Sequence, residues 1–217
     1  MAGIAVDAIF TRPYSSLGRS AIGPSDSPDS ELIYPLLMDD SPCLCILCEP
    51  PPNGPAFEER DSRIARSVTD FGWHVMGVGA GGDAPADWAY SIGLWHTLRS
   101  PEVCVFGLRT DVAMPVVNAA GAGIRGGLPL EPDQRRDDVL NGYDVAVRPV
   151  HPSWYRDFFG AGIDFCQAPP WPVTQLFWPD KSGRFPWEDG VTDYCRASQP
   201  LLWIPKSDTE GPWSQVA

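Results

Sequence analysis

The segment that most constrains this chain is 88–108, WAYSIGLWHTLRSPEVCVFGL, which is its densest apolar run. Tyr90 and Val105 are among its aromatic and β-branched side chains, which favour the pleated surface of a sheet. Polar residues in the middle of the run separate two apolar halves. We therefore predict strands over 88–94 and 103–108, joined by a polar turn, with the rest of the chain arranged around this hairpin.

Other elements can be predicted from the spacing of apolar residues and from turn signals. In chain order we expect a helix at 57–70, a strand at 73–78, a helix from Thr110 or Asp111 to about Gly121, a strand at 143–150, a short helix after Ser153 and a strand at 171–177. The glycine-rich segment 79–85 is predicted to be a hairpin loop, and the Asp- and Arg-rich segment before residue 143 an exposed loop. The predicted fold class is α+β: a mostly antiparallel sheet of four or five strands, two or three helices packed on one side of it, and an irregular Pro- and Trp-rich C-terminal segment.

A chain of 217 residues is long enough for one sizeable hydrophobic core, which favours a single domain. Its first 42 residues are rich in Ser, Pro and Asp and show no sustained periodicity, as is typical of a loose extension. The predicted organisation is an N-terminal extension at 1–42, the α+β domain at 43–200 and an irregular C-terminal tail at 201–217. One hypothesis is that the functional chain begins at Met38, shortly before the first cysteines.

The balance of charge limits the partners that this chain can have. Acidic residues outnumber basic ones by 28 to 16, for a formal net charge of −12. Such a field repels nucleic acid and anionic membranes, keeps a protein soluble, and suits a basic protein partner. The sequence has no apolar run of about 20 residues and no basic segment ahead of its short N-terminal apolar stretch, so we expect neither a membrane span nor a secretion signal. We expect a cytoplasmic protein, in which the cysteines need not pair.

Several short motifs occur in an order and spacing that resemble a known family. They are GWHV at 72–75, WAYSIGL at 88–94, PEV at 101–103, GL at 107–108, QLFWPD at 175–180 and GRFPW at 183–187. Together with the cysteine cluster described next, these motifs resemble the bacterial family called domain of unknown function 4262 over roughly 43–190. The resemblance implies a small α+β domain of bacterial, cytoplasmic origin with no established substrate.

The chain departs from the family pattern at two points of the central hairpin. Ser91 stands where a threonine is expected, which keeps the hydroxyl. Arg99 and Ser100 stand where Gly-His is expected before Pro101, so a histidine is lost. Any role of that histidine is absent here unless His96 takes it over.

Three cysteines in six residues, Cys43, Cys45 and Cys48, form a CxCxxC cluster. Thiolates bind zinc well, but a structural zinc site needs four ligands. The fourth ligand must come from elsewhere in the chain, and the candidates are His74, His96, Cys104, Cys166 and Cys195. Two alternatives stay open: the thiols are small buried side chains of a docking strand, or they sense redox state.

The central hairpin carries the hydroxyl, imidazole and carboxylate groups that acid–base or nucleophilic catalysis needs. They are supplied by Tyr90, Ser91, His96 and Glu102. Tyr90 and Ser91 are adjacent in a strand and point to opposite faces, so they cannot both line one site. In the alternative interpretation, Glu102 only ends a turn and His96 is exposed.

A second candidate region is 175–187, where aromatic side chains alternate with polar ones. Gln175, Trp178, Arg184 and Trp187 could form an aromatic pocket with a few polar groups, and Asp180 adds a carboxylate. The same rings could instead belong to the core, because aromatic side chains most often do.

These observations favour a cytoplasmic binding protein that recognises a small molecule or a protein partner. Tyr90 and Ser91 from the hairpin and the four residues of the C-terminal segment are the predicted ligand-binding residues. The first alternative is a metal-assisted enzyme, with zinc as the candidate metal and His96, Glu102 and Asp180 as catalytic candidates. The second is an acidic immunity-type protein that neutralises a basic partner.

Overall fold

The computed structural model of the chain describes residues 42–49, 59–82, 84–167 and 171–216. Nearly all of the predicted N-terminal extension, including Met38, lies outside these ranges. Six α-helices occur in the described residues, and they are α1 Glu59–Phe71, α2 Leu94–Leu98, α3 Thr110–Arg125, α4 Tyr155–Phe158, α5 Gly160–Cys166 and α6 Asp193–Ala197. None of them is both long and apolar enough to cross a membrane.

The strands form a single mixed sheet. They are β1 His74–Val78, β2 Trp88–Ile92, β3 Glu102–Phe106, β4 Arg135–Leu140, β5 Tyr143–Pro149 and β6 Val173–Phe177, in the spatial order β1-β2-β3-β6-β5-β4. All neighbouring pairs are antiparallel except β3 and β6, which are parallel. The α+β class is confirmed, whereas the predicted four or five strands and two or three helices are too few.

Helices cover both faces of the sheet, which corrects the prediction that they pack on one side. Alternate strand residues face opposite layers, so Tyr90 lies in one core cluster and its neighbour Ala89 in the other. Ile64 and Val68 of α1 pack in the cluster of Tyr90, and Val117 of α3 packs in the cluster of Ala89. Because the central strands β2, β3 and β6 are buried along their whole length, the apolar run that dominates the sequence is the centre of the molecule.

Two elements differ from the sequence prediction for local physical reasons. The segment predicted as an exposed Asp- and Arg-rich loop contains β4, an edge strand in which Arg136 and Val139 are buried while Arg135, Asp137 and Asp138 are exposed. Edge strands commonly carry charged residues, so the spacing of apolar residues does not predict them. The polar turn predicted between the two central strands contains the five-residue helix α2.

The C-terminal segment packs on the domain although its backbone is irregular. Short 3₁₀ turns at Lys206–Asp208 and Pro212–Gln215 are its only regular elements within the described residues after α6. Leu202 and Trp213 nevertheless lie in the same core cluster as Tyr90, and the Trp213 ring contacts Phe106 edge to face. The boundary at residue 200 stays a prediction, and side chains on its C-terminal side contribute to the core.

Candidate metal centre

Four side chains with metal-binding atoms meet at one place in the structure. They are Cys43, Cys45, Cys48 and His96, and their Sγ and Nδ1 atoms all lie within 4.8 Å of one another. The Nδ1 atom of His96 is 3.9 Å from Sγ of Cys43, 3.2 Å from Sγ of Cys45 and 3.4 Å from Sγ of Cys48. The structure therefore brings His96, one of the five candidates for a fourth ligand, to the cysteine cluster.

These spacings fit a tetrahedral metal ion. Zinc–sulfur bonds of about 2.3 Å and zinc–nitrogen bonds of about 2.0 Å at tetrahedral angles place a sulfur and a nitrogen donor about 3.5 Å apart. The three sulfur-to-nitrogen distances, 3.2, 3.4 and 3.9 Å, lie on both sides of this value. Three thiols and one imidazole are also one of the donor sets that hold structural zinc.

The cysteine loop, residues 42–49, is held in shape by its own backbone and by contacts with α5. The carbonyl oxygen of Cys45 accepts hydrogen bonds from the N–H groups of Cys48 and Glu49, each at 2.9 Å. The N–H of Ile46 donates to the carbonyl oxygen of Phe165 at 2.9 Å. Cys45 and Ile46 are buried in the core, while Cys48 is exposed. The loop is therefore packed on the domain by contacts that need no metal.

Gln167, directly after α5, holds the cysteine loop through two hydrogen bonds of its side chain. Its side-chain amide nitrogen donates to the carbonyl oxygens of Leu44 at 3.0 Å and Glu49 at 2.8 Å, which directly precede Cys45 and follow Cys48. Gln167 has a φ of 61°, a conformation that L-residues rarely adopt. The sequence offers no local signal for this role, because it depends on where α5 ends relative to a loop more than 110 residues earlier in the chain.

His96 is positioned by the short helix α2, which is held at its N-terminal end by Glu102. The Glu102 carboxylate accepts hydrogen bonds from the N–H groups of Gly93 at 2.7 Å and Trp95 at 3.1 Å, and from the Ser91 hydroxyl at 2.5 Å. Ser91 Oγ in turn accepts the N–H of Val103 at 2.8 Å. Glu102 thus satisfies N–H groups that the first turn of a helix leaves unpaired.

Gly93 allows this helix to start close to α1. Its φ is +110°, and a Cβ atom at this position would lie 2.7 Å from a methyl carbon of Val68. Glycine is therefore required here for two reasons: the backbone has a positive φ, and α1 lies too close for a side chain. A second contact joins α2 to the end of α1, because the Thr97 hydroxyl donates to the carbonyl oxygen of Gly72 at 2.7 Å.

Burial shifts the pKa of three of the four donors, Cys45, Cys48 and His96. Burial raises the pKa of Cys45 to about 12, and it also raises the pKa of Cys48. Burial lowers the pKa of His96, and the nearby positive charge of Arg99 lowers it further. Near neutral pH Cys45, Cys48 and His96 are therefore uncharged, and Nδ1 of His96 is able to act as a ligand once it carries no proton.

The three catalytic candidates occupy different environments. His96 lies with the thiols, and Glu102 is buried beneath α2, where burial raises its pKa against the opposing effect of its hydrogen bonds. Asp180 follows the C-terminal end of β6, whereas Glu102 pairs with Val173 at its N-terminal end. Asp180 accepts the N–H groups of Ser182, Arg184 and Thr192. These bonds outweigh the effect of desolvation and hold the pKa of Asp180 below its usual value. The structure thus does not bring Asp180 to His96.

The predicted ligand-binding residues are divided among several parts of the molecule. Tyr90, Ser91, Gln175 and Trp178 are buried, Trp187 is half-buried and Arg184 is exposed. Gln175 donates to the carbonyl oxygen of Pro200 at 2.9 Å and so joins β6 to the segment after α6. Trp178 donates to the carbonyl oxygen of Phe106 at 2.8 Å and joins the end of β6 to β3. Trp187 lies in a separate aromatic cluster with Phe177, Phe185 and Trp203.

The fold and this site define an α+β domain with a candidate Cys₃His metal centre. The chain belongs to the family described as domain of unknown function (DUF4262), which matches residues 67–192. No curated protein and no solved structure matches the chain. The family match includes His96, Glu102 and Asp180, whereas the cysteine loop lies before it.

Proposed function

We propose that this protein binds one zinc ion through Cys43, Cys45, Cys48 and His96. The observation that carries the proposal is the approach of three sulfur atoms to one imidazole nitrogen at 3.2–3.9 Å. Soft thiolate donors with one imidazole favour zinc over the hard cations magnesium and calcium. The donors come from two segments about 50 residues apart, so the ion would join the cysteine loop to α2.

Four protein donors favour a structural role for the metal. Catalytic zinc sites usually use three protein ligands and leave a fourth position for water or substrate, whereas structural sites are closed. The positions of the enzyme candidates agree with a structural role, because Glu102 and Asp180 are each engaged by several hydrogen bonds. In this proposal the zinc stabilises the folded domain by mass action, since it binds the folded state in preference to the unfolded one.

The proposal is tested by metal analysis of the full chain. Protein expressed in zinc-supplemented medium and purified without chelators should contain about one zinc per chain by native mass spectrometry. Replacement by Co²⁺ should give the absorption bands of a tetrahedral thiolate complex. A folded protein that contains no zinc and takes up neither metal would contradict the proposal.

Ligand binding at the aromatic C-terminal segment is a second candidate function. Trp187 and Trp203 are half-buried, their ring centroids lie 5.2 Å apart, and the Arg148 guanidinium is 5.4 and 5.3 Å from the two rings. Partly exposed aromatic rings favour a small planar molecule, while the charge of Arg148 is already paired with Asp133. Quenching of tryptophan fluorescence in a metabolite screen, lost in Trp187→Ala, would support this function. A screen without any change in fluorescence or melting temperature would count against it.

The charge of the chain supports a further proposal, a basic protein partner. A net charge of −12 attracts basic surfaces over about 10 Å at moderate salt. Capture of a basic protein that is lost at high salt would support an immunity-type role, and capture that resists salt would contradict it. We also propose a cytoplasmic location, a compartment in which free thiols such as those of its six cysteines persist.

A further inference from the structure

Cys45 and Cys48 are the two ends of a tight turn within the cysteine loop. The N–H of Cys48 donates to the carbonyl oxygen of Cys45 at 2.9 Å, as in a four-residue turn. Such a turn brings its first and last Cα atoms within about 7 Å, and a disulfide spans about 4.4–6.8 Å between Cα atoms. The two Sγ atoms also lie within 4.8 Å of each other. The turn therefore holds these side chains at a spacing that a disulfide can bridge.

The three cysteines differ in their access to solvent. Cys48 is exposed, Cys43 is intermediate and Cys45 is only 1% exposed. A small oxidant in solution therefore meets Cys48 first, and the Sγ atom of the buried Cys45 lies within 4.8 Å of that of Cys48. Oxidation of cysteine follows thiolate character and exposure, and coordination by a metal keeps a thiol deprotonated.

The cysteine loop keeps contacts that do not depend on the metal ligands. Ile46 is bonded to Phe165, and Gln167 is bonded to Leu44 and Glu49. Because these contacts remain when the metal leaves, the two sulfurs stay neighbours and the loop keeps its place on the domain.

We propose that Cys48 is a site of oxidation by peroxide, that the oxidised sulfur forms a disulfide with Cys45, and that this reaction releases the metal. The inference rests on the zinc site proposed above and adds a reversible modification to it. With Cys45 and Cys48 joined, only Cys43 and His96 remain as donors, which is fewer than a structural zinc site requires.

The reaction balances with hydrogen peroxide as the oxidant. The Cys48 thiolate attacks one peroxide oxygen, the O–O bond breaks, and the products are a sulfenic acid and a hydroxide ion. The Cys45 thiolate then attacks the Cys48 sulfur, which forms the S–S bond and expels a second hydroxide ion. Two electrons pass from the two sulfurs to the peroxide, water takes up the change in protons, and Zn²⁺ enters solution. A dithiol reductant reverses the process.

The test uses the zinc-loaded full chain treated with hydrogen peroxide in the presence of a chromogenic zinc chelator. We expect loss of the bound zinc in parallel with formation of a disulfide that peptide mapping assigns to Cys45 and Cys48. Dithiothreitol with added zinc should restore the metal. Cys48→Ser should lose the disulfide, whereas Cys195→Ala, which removes a buried thiol outside the cluster, should behave as the unmodified chain does.

The outcomes separate this inference from the zinc proposal. Protein that takes up no zinc overturns the metal site and the release step that depends on it. Zinc-loaded protein that keeps its metal and all its thiols under peroxide overturns the oxidation alone. A disulfide at another pair, or irreversible oxidation of Cys48 without a disulfide, also overturns it. Peptide mapping of the unmodified chain shows whether Cys45 and Cys48 form the disulfide, even if Cys48→Ser folds poorly.

Discussion

The Sγ atom of Cys45 lies 3.2 Å from Nδ1 of His96, although the two residues are 51 positions apart in the chain. One belongs to an irregular loop and the other to a five-residue helix between two central strands. Their contact joins a segment outside the family match to a helix inside it. The proposed zinc site therefore depends on how firmly the cysteine loop and α2 are each held in place.

Zinc binding should release protons, because thiols bind metal as thiolates. Burial raises the pKa of Cys45 and Cys48, so these thiols hold their protons near neutral pH. His96, whose pKa is lowered by burial, is already neutral there and releases none. Calorimetric titration in buffers of different ionisation enthalpy should therefore show at least two protons released per zinc, and the affinity should rise with pH.

Two variants provide controls for the proton count. Cys48→Ser should release one proton fewer for each zinc bound, while His96→Ala should bind more weakly with the same number of protons released. Zinc affinity that does not change with pH between about 6 and 8 would contradict coordination by thiolates.

Gln167→Asn should weaken zinc binding without unfolding the domain. Asparagine tolerates positive φ better than most residues but is one methylene shorter, so it cannot reach Leu44 and Glu49 together. Each hydrogen bond is worth about 1 kcal/mol, and loss of one or both should raise the zinc dissociation constant roughly tenfold. The measurement is competition with a chromophoric chelator, and an unchanged constant would show that the loop does not depend on this side chain.

Glu102→Ala should destabilise the domain by about 2–4 kcal/mol in urea denaturation, because it leaves the buried N–H groups of Gly93 and Trp95 without acceptors. Zinc affinity should fall as well, since α2 carries His96. Glu102→Gln keeps one acceptor oxygen and should lose less stability. Equal losses in the two variants would argue against the role of Glu102 in holding the helix.

Gly93→Ala should destabilise the domain by at least about 2 kcal/mol, because its Cβ would meet Val68 and because φ is +110°. A double-mutant cycle with Val68→Ala separates the two causes. The loss of stability caused by the contact with Val68 should disappear in the double variant. The loss caused by the positive φ of residue 93 should remain. Independent, additive effects of the two substitutions would rule out the close contact.

Much of the fold could be predicted from the sequence wherever apolar residues recur at the spacing of a helix or a strand. The amphipathic pattern of α1 predicted a helix at 57–70, and the described part of the helix is Glu59–Phe71, with Ile64 and Val68 buried one turn apart. The hairpin of β1 and β2 also agrees with the prediction. The parallel pairing of β3 with β6 could not be predicted, because strands about 70 residues apart carry no local signal of their partner.

The candidate site was only half visible in the sequence. CxCxxC identified three donors because their spacing is local, whereas His96 was one of five possible fourth ligands. What selects His96 is α2, a helix flanked by residues of positive φ, Gly93 and Arg99, and capped by Glu102. Helix propensity depends on the local sequence, so it does not predict a helix that needs a carboxylate from the next strand. Gln167 was missed for the same reason, since its partners are set by tertiary packing.

The most direct test of the zinc site compares the two half-buried histidines, His96 and His74, in the unmodified chain and in single alanine variants. Burial lowers the pKa of both, but only His96 lies beside the thiols. Metal analysis after dialysis against a weak chelator should find about one zinc per chain in the unmodified protein and in His74→Ala, and little or none in His96→Ala. Zinc retained equally by both variants, or absent from all three proteins, would contradict the Cys₃His site.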